Sequence, residues 1–250
     1  MKATVVIIAA VMLVGWLPVA SAYSQDAAVI LARIDSVLNA PKDRVMIEKM
    51  TLIDKDGNQK VRKIKFYQKG SELRLVRFLS PAEVRGVGFL RRAENRLYLY
   101  LPAFRRVRRI ASSIKNERFM GTDFTYEDMS QSTFTRDYRA KRLPDQNGLY
   151  VLELTPLPGA DVSYGKLVVY ADPSNYVYRK VEYYDRDGKL QKILTLSDIQ
   201  QKNGYWVPLT MEMRDVQRNH RTVLELQDVK FDQGLSDKLF TQRNLKRPER

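Results

Sequence analysis

Few residues in this 250-residue chain can do covalent chemistry. There is no cysteine and a single histidine, so thiolate nucleophiles, disulfides and thiolate metal sites are excluded. His220 stands in the segment RNHR at a polar turn, where a solvated loop residue is expected. A Ser-His-Asp triad would need a carboxylate holding that ring in a protected site. One imidazole cannot anchor a zinc cluster. The run Asp54-Lys55-Asp56-Gly57-Asn58 spaces its oxygens somewhat like a calcium loop but lacks the downstream Glu, and a β-turn explains it. Asp123, Glu127 and Asp128 crowd together in GTDFTYEDM, yet their spacing marks no acid–base pair; capping and pairing with nearby Arg is expected. Gly86-Val87-Gly88 lacks the third glycine and the helix of a dinucleotide site and suits a bend or bulge in a strand. The expectation is a protein that is not an enzyme and takes no metal or cofactor.

Binding chemistry is better represented. Nine arginines lie between Arg85 and Arg118, opposed only by Glu94 and Glu117 and interleaved with Leu, Tyr, Val and Ile. Such a run predicts a basic surface carried on a sheet. Arg85, Arg91, Arg92, Arg105, Arg106, Arg108 and Arg109 are the candidates for contact with anionic lipid headgroups, a membrane surface or an acidic protein face. Guanidinium groups bind anions with fixed geometry; the plain alternative is that the charge only keeps the protein in solution. The segment RRVRRI alternates basic groups onto both faces of a strand, so sequence leaves open which of them face outward.

The start of the chain indicates the compartment. Lys2 precedes an apolar run at 5–20, VVIIAAVMLVGWLPVA, and Ala20-Ser21-Ala22 supplies a small-x-small cleavage pattern. Residues 1–22 therefore predict a secretory signal peptide cleaved after Ala22. Gly15 and Pro18 interrupt the run, which is short for the ~20 apolar residues of a spanning helix. The net charge is +14, and loss of Lys2 with the leader leaves +13. In a periplasmic protein such charge favours phospholipid, lipopolysaccharide or acidic protein partners; the compartment disfavours nucleic acid.

The elements that would position these groups are mostly strands. Residues 25–39 predict one helix, with Ile30, Ile34, Val37 and Leu38 at helical spacing, Arg33 and Asp35 off that stripe, and Asn39 and Pro41 as stop signals. Strands are predicted over 44–54, 61–68, 72–79, 96–101, 105–110, 150–157, 166–171, 176–185, 189–200, 206–216 and 222–231, separated by turns such as Asp56-Gly57-Asn58 and Asn203-Gly204. Ser236 predicts a cap for a short closing helix, and the tail NLKRPER is expected to fray. No Gly/Ser linker divides residues 23–250, which read as one domain: a large, curved antiparallel sheet with the early helix on one face. Along 206–213, Val207, Leu209, Met211 and Met213 share one face, opposite Trp206 and Pro208. Methionines and aromatics suit an adaptable apolar interior.

The run FLSPAEVRGVGFL, followed by LYLYLPAFRRVRRI and FMGTDFTYEDM, resembles the LolA-like outer membrane lipoprotein-sorting protein family across the chain from the helix at 25–39 to the strand near 231. The resemblance implies a mainly β protein, an unclosed and strongly curved antiparallel β-barrel with α-helices on its concave side, the LolA/LolB-like fold. It also implies an apolar cavity for acyl chains, a role in envelope lipid or lipoprotein traffic, and association with exporters of the resistance-nodulation-division type. None of the family's functional residues carries over one by one.

The expected function is thus a periplasmic carrier of lipids or lipoproteins, with acyl chains between sheet and helix lid. Each buried methylene contributes ~0.8 kcal/mol. Candidate cavity residues are Ile30, Ile34, Val37 and Leu38 from the helix and Phe66, Phe78, Phe89, Leu99, Trp206, Leu209 and Met211 from strands. The alternative is an accessory protein without lipid cargo that docks on an envelope exporter through the arginine surface. A hydrolase acting through carboxylates is the third possibility, with no positioned pair to support it.

Overall fold

A computed structural model describes residues 20–92 and 96–249, with side chains from Ala27 onward. The expected leader, residues 1–22, lies almost wholly outside the described residues, as does Glu94. Helix α1 (Ala20–Leu38) leads into β1 (Asp43–Ile53), β2 (Gln59–Lys69), β3 (Leu73–Ser80), β4 (Gly88–Arg92), β5 (Arg96–Leu101) and β6 (Arg106–Ile110). A connection carrying the short helix α2 (Tyr126–Ser130) then crosses to β7 (Tyr138–Gln146). From there β8 (Leu149–Pro156), β9 (Lys166–Ala171), β10 (Tyr178–Tyr184), β11 (Leu190–Lys202), β12 (Tyr205–Asp215) and β13 (His220–Phe231) follow, and α3 (Gln242–Leu245) closes the order.

The thirteen strands form one antiparallel sheet in the order β6-β5-β4-β3-β2-β1-β13-β12-β11-β10-β9-β8-β7. It is two meanders joined where β1 pairs with β13, and it is unclosed, with β6 and β7 at its edges. Every strand contributes to one continuous apolar core, from Met50 on β1 and Ile110 on β6 to Ala140 on β7 and Leu224 on β13. One face of so wide a sheet meets itself only by wrapping round, the direction in which strand twist drives it. The inner face is covered by α1, through Ala27, Ile30, Leu31 and Ile34, and by the 111–137 connection, through Phe119, Phe124, Tyr126 and Phe134.

The two covers are tied together. Asp35 is buried and accepts from the backbone N–H of Phe134 (2.8 Å) and Thr135 (2.9 Å) and from the Thr135 hydroxyl (2.7 Å). Off the apolar stripe in sequence, it faces the connection and not solvent. Asn39 Nδ2 adds a bond to the Ser132 carbonyl at 2.7 Å. Helix α2 starts in a capping box: Thr125 Oγ1 accepts from Asp128 N–H, and Asp128 Oδ2 accepts from Thr125 N–H at 2.7 Å. This satisfies two donors that a helix start leaves open.

The outer face of β2–β4 is also covered, by the C-terminal segment. Tyr67, Leu75 and Leu90 pack with Phe240 and Leu245. Ser236 and Thr241 cap the last two helical turns. The tail expected to fray is docked. Arg77, 2% exposed, donates to the carbonyls of Asn244 (2.5 Å) and Arg247 (2.6 Å) and pairs with Glu249 at 3.0 Å. Gly88 permits the close approach, since a Cβ there would stand 2.7 Å from Leu245 Cδ1.

Two strands lie outside the sequence expectation. Strand β7 contains Pro144, which an edge strand tolerates because one side of its ladder is unused; its register is irregular between Leu143 and Gln146. Strand β4 follows a turn in which Gly86 takes φ +81°.

Candidate functional site

Between the inner face and its covers lies a cavity of about 180 Å³. Seven of the eleven expected residues line it: Ile34, Val37, Leu38, Phe66, Trp206, Leu209 and Met211. Its inner wall is built of Ile64, Leu194, Leu196, Val207, Met213 and Leu224, all buried, while Val37, Leu38, Met46, Leu209, Met211 and Leu226 are half-buried. From α2 and the segment after it, Met129 and Phe134 add to the lining. Ile30, Phe78, Phe89 and Leu99 do not reach the cavity; they fill the core. Phe78 and Phe89 pack against Phe119 with tilted rings at 5.7 and 5.4 Å, and Phe119 packs edge-on to Tyr126 at 5.7 Å. That aromatic cluster anchors the 111–137 connection beside the cavity.

Backbone irregularities shape the walls. The register of β10 shifts between Tyr178 and Lys180. The shift turns Tyr178 to the same inner side as Val181 and Tyr183, where strict alternation would separate them. Arg179 is left outside, paired with Asp172 at 2.7 Å.

The cavity is not wholly apolar. Arg44 and Glu48 from β1, Arg74 from β3 and Asp128 from α2 also line it. Sequence reasoning named Asp128 only for capping and pairing and missed Arg44, Glu48 and Arg74, although their signal was present. Arg44 and Glu48 share period-2 spacing with Met46 and Met50, and Arg74 with Val76 and Phe78. Asp128 is committed: Lys192 Nζ stands 2.6 Å away and the Tyr164 hydroxyl donates at 2.7 Å. Glu48 is buried, and burial pushes its carboxyl up to about 7 against the opposing pull of Arg44. Arg44 donates to Gln68 Oε1 at 2.8 Å. Arg74 donates to the carbonyls of Met129 (3.3 Å) and Gln131, and so holds the end of α2 to the sheet.

The three crowded acids stand apart in role. Glu127 accepts from Ser163 N–H at 3.0 Å, and burial raises its carboxyl. Asp123, fully buried, receives Thr222 Oγ1 at 2.7 Å and Arg118 Nη2 at 3.2 Å, and its Oδ2 lies 2.6 Å from His220 Nδ1. His220 is therefore not a solvated loop residue: its side chain is 17% exposed and clamps the β12–β13 end to the 111–137 connection. Among the described residues, no group of three His, Cys, Asp or Glu side chains converges as a metal site. Asp54 closes its turn by accepting from Asp56 and Asn58 N–H, both at 2.9 Å.

The arginine run divides. Arg91 is fully buried, beside Glu72 and the Ser71 carbonyl, and Arg92 is half-buried, so Arg91 belongs to no surface. Arg85 is exposed on the turn before β4, where its Nε donates to the Leu79 carbonyl. Arg105, Arg106, Arg108 and Arg109 are exposed on and beside edge strand β6. Next to them Phe104, 69% exposed, stands at the tip of the β5–β6 turn. Charge on an edge strand also discourages strand addition.

An unclosed antiparallel sheet with helices covering its inner face places the chain in the LolA-like fold class. The comparisons agree. A protein-family model described only as "uncharacterized protein" matches residues 70–247. An outer membrane lipoprotein-sorting protein domain from Vibrio parahaemolyticus is 32% identical over 90% of this chain and 100% of its own, with a TM-score of 0.81. A DUF1329 family protein from Desulfovibrio piger is 26% identical over 89% of this chain and 99% of its own, with a TM-score of 0.84. A LolA superfamily protein from Nitrosomonas europaea, 24% identical over 87% of this chain and 98% of its own, shares the fold at a TM-score of 0.74. No curated protein sequence matches the chain. The chain belongs to the LolA-like outer membrane lipoprotein-sorting protein family.

Proposed function

We propose that this protein is a periplasmic carrier that shelters the acyl part of a lipid or lipoprotein and acts by binding, without catalysis. The observation that carries this reading is the cavity of about 180 Å³ beneath the α1 and α2 cover, lined mainly by aliphatic and methionine side chains. An apolar cavity of ~150 Å³ is enough to take a benzene ring, and each methylene buried contributes ~0.8 kcal/mol. The name of the Vibrio relative points the same way. Among the described residues no helix is long and apolar enough to cross a membrane. Transfer would take place at an anionic membrane surface, met by Arg105, Arg106, Arg108 and Arg109, with Phe104 entering the headgroup layer.

The test is direct. Protein purified from its native compartment is extracted with organic solvent, and the extract is examined by mass spectrometry; uptake of a fluorescent fatty acid is measured in parallel. Lipid is expected in the extract, and Leu209→Trp, which fills the cavity, is expected to reduce uptake at least ~10-fold by removing room for the chain. Absence of lipid together with absence of uptake would favour an accessory protein that docks through its basic edge.

A further inference from the structure

The cavity wall carries more positive charge than the surrounding protein offsets. Arg44 and Arg74 both line it, and their guanidinium carbons lie 5.9 and 5.8 Å from the centre of the Phe66 ring, so they share one wall. Arg74 is 6% exposed. Its hydrogen bonds run to backbone carbonyls and that of Arg44 to an amide, all neutral acceptors. The Nε–H of each is buried and finds no partner in the protein. Of the two carboxylates in the lining, Asp128 is taken by Lys192. Tyr178 and the remaining carboxylate, Glu48, act on Arg44; around Arg74 stand the arginines Arg91, Arg44 and Arg136, opposed by Tyr178 and by no carboxylate of the lining. A buried guanidinium without a counter-charge is costly, and buried donors are rarely left unpaired.

The geometry points to an anion subsite inside the cavity: Arg44 and Arg74 receive the carboxylate or phosphate head of a single-chain amphiphile whose tail lies along the apolar wall. This rests on the carrier reading and narrows its cargo. The head would be bound inward, beside Phe66, leaving only the tail to the aliphatic wall formed by Leu196, Leu209 and Met211. Planar, forked donors suit either head, since both present paired oxygens. A cavity of about 180 Å³ also suits part of one chain better than several chains together.

The experiment uses the full mature protein freed of lipid on a hydrophobic resin. The neutral dye N-phenyl-1-naphthylamine reports on the cavity, and chain-matched competitors displace it: myristate, methyl myristate and 1-myristoyl lysophosphatidate, with inorganic phosphate as the head alone. Myristate or lysophosphatidate is expected to displace the dye at least ~10-fold more effectively than the ester, as charge-assisted bonds require. The preferred head identifies the source, and displacement by phosphate alone would replace the amphiphile with a free anion and overturn the proposal. Arg44→Gln should remove most of the preference and Arg44→Gln/Arg74→Gln all of it, with displacement by the ester unchanged. Arg74 also holds α2, so the single Arg44 variant, checked by circular dichroism, decides the matter if the double variant fails to fold. Equal displacement by acid and ester in the parent protein, or a preference that survives Arg44→Gln, would overturn the subsite and leave the carrier reading intact. Failure of dye and every competitor to bind would remove both.

Discussion

Glu48 is the side chain on which pH acts most directly. Burial lifts its carboxyl from the usual range near 4.5 to about 7. Between those values the folded protein holds a proton that the unfolded chain has released, so stability declines as pH rises through that window and levels off above it. Glu48→Gln removes the dependence. Its thermal midpoint should exceed that of the parent at pH 8, by an amount corresponding to at most ~3 kcal/mol, and the two should coincide at pH 4. Melting curves at both pH values check this; a parent protein that is as stable at pH 8 as at pH 5 would contradict it. Lys192 makes a second residue-scale case. It is 5% exposed and stands 2.6 Å from Asp128, itself 3% exposed. Lys192→Met leaves that carboxylate buried and uncompensated, with an expected loss of ~3–5 kcal/mol in urea denaturation. Neither residue attracted notice in sequence, where each is one charge among many; burial alone makes them consequential.

At the scale of elements, the C-terminal segment stabilises the outer face of β2–β4. Arg77 and Leu245 are buried against each other's surroundings, and Glu249 reaches Lys65 at 2.8 Å as well as Arg77. Deleting residues 242–250 should expose that apolar surface and strand Arg77, at a cost of ~3 kcal/mol or more. The thermal midpoint should fall by ~6–12 °C, and scanning calorimetry would show it. A tail that can be removed without effect would mean that the docking contributes nothing. From sequence the DKLF turn is the last element, because NLKRPER is polar and short. Its one apolar residue, Leu245, becomes informative only when Gly88, 157 positions earlier, offers it a bare backbone. The alternating strands were legible because period-2 patterning needs no partner. Strand β7, with Pro144 and its charges, reads poorly because an edge strand is only half constrained.

At the scale of the molecule, positive charge is concentrated where β6 ends the sheet. If that edge meets anionic membranes, Arg105, Arg106, Arg108 and Arg109 changed together to Gln should weaken sedimentation with phosphatidylglycerol vesicles by ~10-fold or more, at roughly 1 kcal/mol per basic residue near the surface. Raised salt should reproduce the loss in the parent protein. Unaltered vesicle binding in both tests would assign the patch to solubility and edge protection. Phe104→Ser should weaken binding in a salt-independent manner, because its contribution is apolar burial.

What the order of residues determined by itself was local and periodic: the early amphipathic helix, most of the strands, their turns, and the absence of thiol chemistry. The apolar face of α1 and the run Val207, Leu209, Met211, Met213 already implied an interior to be covered. Tertiary structure decided which polar groups entered that interior. Alternation places Arg44, Glu48 and Arg74 on the same faces as methionines and a phenylalanine. Only the wrapping of the sheet shows that those faces enclose a cavity. It likewise separates Arg91, buried, from Arg106 and Arg108, exposed, and brings His220 to Asp123 across 97 positions of chain. The physical reason is the same in each case. Periodicity assigns a side chain to a face, whereas burial and pairing depend on what packs against that face from far along the chain.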